Sequence, residues 1–187
     1  MELQTERLLL REWKESDWPP FAQLNASPDV MRYFPATLTE PESNAMADRL
    51  SALVLEQGWG FWAVELCKSK RFIGFVGLHR PTYKLPVSSC VEIGWRLAKA
   101  NWGNGYATEA ARRVLDFAFK ELKLAQVYSF TTVTNQKSKA VMRRLHLVDT
   151  HCNFAHPLVP ESSPLREHVL YKIDRQTWLG KYAFQSS

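Results

Sequence analysis

Apolar residues change their spacing several times along the chain, and each change marks a predicted element. Between Glu6 and Glu12 they alternate, with Leu8 and Leu10 on one side, which predicts a strand. Ser16-Asp17-Trp18-Pro19 then places a capping residue shortly before Pro, the start of a helix reaching about Asn25, ahead of the Ser27-Pro28 break. Thr39-Glu40-Pro41-Glu42 opens a second helix with Pro and carboxylates in its first turn. Ala45, Met46, Leu50, Leu53 and Val54 give it an apolar stripe to near Gln57, and Gly58 and Gly60 end it. Three segments rich in β-branched and aromatic residues follow: Trp59 to Leu66, Arg71 to Leu78 and Val91 to Leu97. Turn-like pieces at Cys67 to Lys70 and Arg80 to Ser89 separate them, which predicts an antiparallel meander.

Helical spacing returns at Ala107, with Ala110, Ala111, Val114, Leu115, Ala118 and Leu122 on one face and Glu109, Arg112, Arg113, Asp116, Lys120 and Lys123 on the other. Gln126 to Thr134 reads as a strand, and Gln136 to Leu145 as a helix with Ala140, Val141, Met142 and Leu145 apolar. Two closing strands, Leu147 to Phe154 and His168 to Ile173, flank a Pro-rich loop. The predicted order is β, α, α, β, β, β, α, β, α, β, β, an α/β (α+β) fold with a mixed sheet of about seven strands and helices on both faces.

The stretch between the third meander strand and the next helix, Asn101-Trp102-Gly103-Asn104-Gly105-Tyr106-Ala107-Thr108-Glu109-Ala110, carries candidate chemistry. A strand, a Gly-rich turn and a helix start form an anion cradle, because small residues admit a phosphate and the first-turn amides point at it. The alternative is a tight turn that uses Gly for positive φ. A dinucleotide fold is set aside, since its third glycine would fall on Thr108 and the chain lacks the repeated βαβ rhythm.

With 187 residues, 45% of them hydrophobic, and only 8 Gly and 10 Pro, the chain is expected to fold as a single domain over 1–187. No apolar stretch reaches the roughly 20 residues of a membrane helix, so a cytoplasmic, membrane-free protein is expected. Cys67, Cys90 and Cys152 are odd in number and widely spaced, which suits reduced thiols. His151, Cys152 and His156 lack a completing ligand pattern, so no metal is expected. A net charge of +5 favours anionic ligands, while no nucleic-acid recognition motif accompanies it.

Four blocks in this order resemble the GNAT acyltransferase superfamily: Thr5-Glu6-Arg7-Leu8-Leu9-Leu10-Arg11, Val91-Glu92-Ile93-Gly94-Trp95, the cradle from Trp102 to Ala110, and Asn135-Gln136-Lys137-Ser138. They look most like its Rim-type branch of ribosomal-protein amino-terminal acetyltransferases. The superfamily's coenzyme A signature is Gln or Arg, two residues, Gly, one residue, Gly or Ala. Trp102, Gly105 and Ala107 stand at its first, fourth and sixth places, and the Trp-Gly-x-Gly-Tyr-Ala form is the one associated with this branch. His146-Leu147 stands where the branch has Gly and an aromatic residue.

The resemblance implies a splayed parallel strand pair at the cofactor site. The pyrophosphate of acetyl-CoA would rest on the amides of Gly103, Asn104, Gly105, Tyr106, Ala107 and Thr108, beside Trp102. Its pantetheine would pair with the backbone of Trp95, Arg96 and Leu97, with Asn135 and Ser138 nearby. Ser138 resembles the residue that hydrogen-bonds the cofactor sulfur; the alternative is an ordinary first-turn residue. Asn135 is a cap, a ligand contact, or both. Glu92 is the candidate base, a carboxylate in an apolar strand; the alternative is a solvated Glu paired with Arg or Lys. Lys137, Lys139, Arg143 and Arg144 form a basic face for a 3'-phosphate, an acidic substrate, or solvent. Tyr33, Phe34, Trp59 and Trp62 are either core or acceptor-pocket residues.

The expected activity is acetyl transfer to a primary amine, foremost a protein or peptide amino terminus. A small-molecule amine (polyamine, aminoglycoside or amino acid derivative) and a non-catalytic acyl-CoA module are the alternatives, with a monomer or homodimer as the assembly.

Overall fold

In the computed structural model, which describes residues 1–182, the alternating segments join into a nine-stranded sheet. The strands are β1 (Leu3–Gln4), β2 (Leu8–Arg11), β3 (Phe61–Leu66), β4 (Phe72–His79), β5 (Glu92–Leu97), β6 (Gln126–Thr132), β7 (Val148–Asp149), β8 (Phe154–Ala155) and β9 (Glu167–Asp174). They run in the order β1-β2-β3-β4-β5-β6-β9-β7, with β8 also on β9. All pairs are antiparallel except β5 and β6, so the expected mixed, mostly antiparallel sheet is present.

Helices cover both faces as the apolar stripes require. On one face α1 (Trp18–Asn25) and α2 (Glu40–Gln57) bring Phe21, Leu24, Ala47 and Leu50 against Trp13, Ala63 and Phe75. On the other, α3 (Tyr106–Lys120), α4 (Gln136–Arg144) and α5 (Arg175–Tyr182) pack Ala111, Leu115, Met142 and Trp178 on Leu10, Trp62, Val76 and Ile93. Full burial of each large apolar side chain contributes roughly 1.5–3 kcal/mol. The predicted start of α2 is a reciprocal cap: Thr39 Oγ1 accepts from the Glu42 amide, and the Glu42 carboxylate accepts from the Thr39 amide at 2.8 Å.

Three differences from the sequence reading have identifiable causes. Leu147 to Phe154 is not one strand, because His151 takes φ 57° and its amide donates to Asp149 Oδ1 at 2.8 Å. The chain turns there, leaving β7 and β8 as separate two-residue strands on β9. β6 stops at Thr132, since the Asn135 amide turns back to the Thr132 carbonyl at 3.0 Å. β1 and α5 were not foreseen; α5 starts where Asp174 accepts from the Thr177 amide at 2.7 Å, and it is anchored by the fully buried Trp178.

β2 and β3 are also tied by charge. Arg11, 3% exposed, grips Asp17 with two hydrogen bonds of 2.7 and 2.9 Å and reaches Glu65 through Nε at 2.8 Å. Two carboxylates therefore neutralise this buried guanidinium, and the Glu12 carbonyl takes a further bond from it at 3.0 Å.

The end of α4 tests the chain's departure from its resemblance. The Leu147 amide donates to the Met142 carbonyl at 3.0 Å and the His146 amide to the Arg143 carbonyl at 2.9 Å, the paired bonds of a Schellman cap. His146 takes the left-handed position, φ 62°, that glycine fills at lower cost. The helix end is thus kept and the strain retained. His146→Gly is expected to raise unfolding stability by about 1 kcal/mol, measured by urea denaturation. A loss of stability would mean that the imidazole's contacts outweigh the backbone strain.

Candidate active site

The two parallel strands meet at one register pair, Glu92 with Tyr128. The Tyr128 amide donates to the Val91 carbonyl at 2.9 Å, and Ser129 Oγ donates to the Ile93 carbonyl at 2.9 Å. Beyond that point β6 stays with β9 while β5 stays with β4 as far as the Gly74–Leu97 pair, so β5 and β6 separate. Main-chain groups alternate in direction along a strand, so those of Trp95 and Leu97 face the same side as those of Val91 and Ile93. Trp102 Nε1 fills the Leu97 carbonyl at 2.8 Å. Trp95 is left in the middle of the opened edge. β4 holds β5 from behind at very close range: a Cβ on Gly74 would lie 2.1 Å from the Arg96 carbonyl oxygen.

The cradle stands at the end of this edge. A 3-10 turn at Lys99–Asn101 leads into Trp102, and Asn104 Nδ2 ties the loop by donating to the carbonyls of Asn101 at 3.2 Å and Trp102 at 3.0 Å. Gly103 and Gly105 take φ of 79° and 80°, and Gly105 is the N-cap of α3 without a side-chain cap. The first-turn amides of Tyr106, Ala107 and Thr108 therefore lack helical acceptors, and the Gly103–Gly105 backbone is exposed. Two cations flank it. The Lys137 ammonium lies 4.2 Å from the Trp102 ring centroid, and the Arg7 guanidinium 4.7 Å from that of Tyr106.

Arg7 belongs to a clasp that the sequence reading missed. The Glu109 carboxylate accepts from Thr5 Oγ1 at 2.6 Å, the Arg7 amide at 3.0 Å and Arg7 Nε at 2.7 Å. The amino-terminal turn is thereby fastened to the first turn of α3. These partners lie more than a hundred residues apart in sequence, so no local spacing could have joined them. Burial alone would push the Glu109 carboxyl up; the bonds from Thr5 and Arg7 hold it below its ordinary value.

Glu92 lies on the opposite face of β5 from the α3 core, next to His79 of β4 and Tyr128 of β6 by register. It is partly buried and forms no ion pair among the described residues, so the alternative of a solvated, paired Glu does not hold. Burial pushes its carboxyl up to about 8. Its surroundings are neutral: burial lowers His79, and burial followed by the nearby Glu92 raises both Tyr83 and Cys90. Tyr83 packs on His156 with ring centroids 5.0 Å apart, and His156 lies 4.7 Å from His168. Burial and then His168 drive His156 down to about 4, so this imidazole is uncharged at neutral pH. The cluster was not foreseen, because its members come from two loops, before β5 and just after β8, and from β9.

Across the opened edge, Asn135 caps α4 by accepting from the Ser138 amide at 3.2 Å, and its Nδ2 donates to Thr131 Oγ1 at 2.9 Å and Ser138 Oγ at 3.1 Å. Lys139 is spent on the Val133 carbonyl at 2.7 Å, while Arg143 and Arg144 are exposed. Trp62 is core, edge-on to Phe117 at 5.5 Å, and Trp59 is buried beneath Arg80. Phe34 is exposed and lies over Arg96 at 4.1 Å, on the Glu92 face. Among the described residues no group of three His, Cys, Asp or Glu side chains converges as a metal site, and no helix is long and apolar enough to cross a membrane.

A family model described as Acetyltransferase (GNAT) domain matches residues 7–148, from the Arg7 clasp through the cradle to β7. The chain belongs to the GNAT acetyltransferase family and is an acetyl-CoA-dependent acyltransferase. FsC-acetyl coenzyme A-N(2)-transacetylase of Aspergillus fumigatus is 32% identical over 164 residues, covering 84% of this chain and 69% of that protein. The crystal structure of a GNAT-family acetyltransferase from Bacillus anthracis superposes with a TM-score of 0.78 at 25% identity, covering 94% of this chain and 99% of that one. RimL, a ribosomal L7/L12 alpha-N-protein acetyltransferase solved with coenzyme A, has a TM-score of 0.74 over 93% of this chain and 98% of its own; at 16% identity the likeness is one of fold.

The clasp predicts a pH-dependent stability term. A carboxyl held below its unfolded pKa stabilises the fold above that unfolded value, and the gain disappears as pH falls through the folded one. Glu109→Gln is therefore expected to lose about 1–2 kcal/mol at pH 7, with the gap to wild type closing in acid. Equal stability of the two proteins at pH 7 would show that the clasp contributes nothing net.

Proposed function

We propose that the protein transfers acetyl from acetyl-CoA to the primary amine of a protein or peptide amino terminus, of the ribosomal-protein type, by direct attack on the thioester. The observation that carries this reading is the placement along one strand of an open main-chain edge at Trp95 and an unpaired, buried carboxyl at Glu92. The cradle fits a pyrophosphate, since a Cβ at Gly103 would meet nothing within 4 Å and the neighbouring amides are unclaimed. Gly103 to Thr108 would hold the phosphates, with Trp102 and Lys137 alongside. The Trp95–Leu97 edge would take the pantetheine amides as an added strand, mainly through Trp95, because the Leu97 carbonyl is already bonded.

Acetyl-CoA, when bound, supplies an acyl group activated as a thioester. The chain's own residues manage the protons. Glu92 takes one from the incoming ammonium, directly or through water, freeing the nitrogen lone pair for attack. Asn135 donates to Ser138 Oγ, so the serine keeps its own hydrogen for the departing sulfur. An α-amino group titrates near 7.7–8.0 and an alkylamine such as Lys near 10.4, so an amino terminus gives up its proton more readily to a carboxylate. That supports an amino terminus as acceptor. A second reading, a small-molecule amine, draws on the transacetylase relative, whose name gives FsC as what it acts on.

Acetyl-CoA at a hundredfold its dissociation constant should add about 2.7 kcal/mol to the stability of the native protein, seen as a rise in Tm. Gly105→Glu is expected to abolish the shift by placing a side chain and a negative charge in the cradle. No shift in the wild type at millimolar acetyl-CoA would sink the donor assignment.

The base assignment predicts a pH profile. Glu92 accepts a proton only when ionised, so kcat/KM should fall about tenfold per pH unit below about 8, a range in which the acceptor's amine also titrates. Glu92→Gln should lower kcat by roughly 10²–10⁴-fold, leave only the acceptor's own titration in the profile and leave the acetyl-CoA shift in place. Its stability should also fall less with rising pH. The wild-type carboxyl holds, when folded, a proton that the unfolded chain releases from about pH 4.3 upward. Normal turnover by the variant would falsify the role of Glu92.

A further inference from the structure

Arg96 and Arg11 are both buried arginines, and only one has a counter-charge. Arg11 engages two carboxylates. Arg96, 9% exposed, has no acidic partner among the described residues. Its Nη1 donates to Asn25 Oδ1 at 2.7 Å and lies 3.9 Å from Met46 Sδ, while its Nε is buried without any hydrogen-bond partner. Asn25 is fixed in turn by donating to Ser43 Oγ at 2.9 Å. The rings of Phe34 and Phe75 lie 4.1 and 5.3 Å from the guanidinium carbon. Burial lowers its pKa only to about 10, so the group is charged at neutral pH. One neutral amide and two ring faces do not replace the carboxylate that a desolvated guanidinium requires.

The place of this charge matters. Glu92 and Arg96 are four residues apart on β5, so they share the face that bears Phe34, Phe61 and His79. Their Cα atoms are about 13 Å apart at the usual strand rise. The acceptor face therefore carries two largely enclosed groups of opposite polarity, each lacking a counter-charge among the described residues. One suits an amine and the other an acid.

We infer that Arg96 is a specificity residue that binds a carboxylate of the acceptor, held beneath Phe34 of the loop between α1 and α2. An extended peptide spans about 3.3–3.6 Å per residue, which puts the acid in the second or third side chain rather than on the α-carbon bearing the amine. The planar guanidinium offers Nη2 to such a group, and the enclosed Nε becomes the second arm of the fork once Phe34 shifts aside. This inference rests on the proposed amine acetylation, and it concerns which amines are chosen.

The test measures binding apart from turnover. Amidated peptides identical except for Glu or Gln at the second or third position are titrated calorimetrically into the coenzyme A-loaded protein, with ω-amino carboxylates of matching length as the small-molecule arm. Wild type is expected to bind one Glu peptide at least tenfold tighter than its Gln twin. Arg96→Met should erase the difference and Arg96→Lys restore part of it. Phe34→Ala changes an exposed side chain, so it keeps the fold, and it should shrink the preference by admitting water to the guanidinium. Preference for an ω-amino carboxylate over every peptide would assign the same carboxylate to a small acceptor. Equal or absent binding of all the acid and amide pairs by wild type, or an intact preference in folded Arg96→Met, would overturn the inference. Acetylation of the same peptides is read separately. Turnover without acid preference removes the role of Arg96 alone, whereas acid preference without turnover removes the peptide-acetylation reading and leaves the carboxylate site.

Discussion

Beyond Glu92, strand β5 has a sheet partner on only one side, and much of the molecule is arranged around that gap. An open edge in the middle of a sheet leaves amides and carbonyls with no ladder partner, and burying them unpaired is costly. Side chains close it at both ends, with Ser129 on the Ile93 carbonyl and Trp102 on the Leu97 carbonyl. Only the stretch around Trp95 is left for something that carries its own amides. Keeping β5 straight with a single neighbour requires that neighbour to be close, which is why β4 has Gly74 where a Cβ would strike the Arg96 carbonyl.

The same residues couple the gap to the cradle. Trp102 caps β5, packs beneath Lys137 of α4 and begins the Gly103–Gly105 turn, so strand edge, cradle and second wall share one indole. The Glu109 clasp then fixes the first turn of α3 from outside. An anion site made of main-chain amides has no side chain to adjust, so its geometry is only as rigid as the segments that hold it.

Legibility from sequence followed the range of the interactions. The amphipathic stripe of α3, the Thr39 cap of α2 and the alternation of β3 to β5 are local signals, and each element stands where its pattern put it. Local signals failed where a residue took an unannounced backbone conformation or where tertiary contacts decide. A left-handed His151 split one expected strand into β7 and β8, and α5 exists because Trp178 is buried against α3, which no periodicity in its short segment announces. Within the candidate site, the Gly-rich turn, Glu92 and the Asn135–Ser138 pair were visible as motifs. The Arg7–Glu109 clasp and the His156–His168 cluster join distant segments and were not.

Glu92 and Arg96 show why a fold tolerates groups that weaken it. In the resting protein Glu92 sits among Tyr83, Cys90 and His79, none of which offers a positive charge, and burial keeps its proton on near neutrality. An approaching ammonium supplies the missing charge and favours the ionised carboxylate. In the proposed mechanism that ionised carboxylate then takes the ammonium proton as the nitrogen attacks. A Lys or Arg beside Glu92 would make the fold more stable and the carboxylate a poorer base. The same reasoning applies with opposite sign at Arg96, where a resident Asp or Glu would satisfy the guanidinium permanently. Leaving both groups without a counter-charge lowers the stability of the free protein, and on the proposed reading that deficit becomes selective affinity for an acceptor that brings the missing charges.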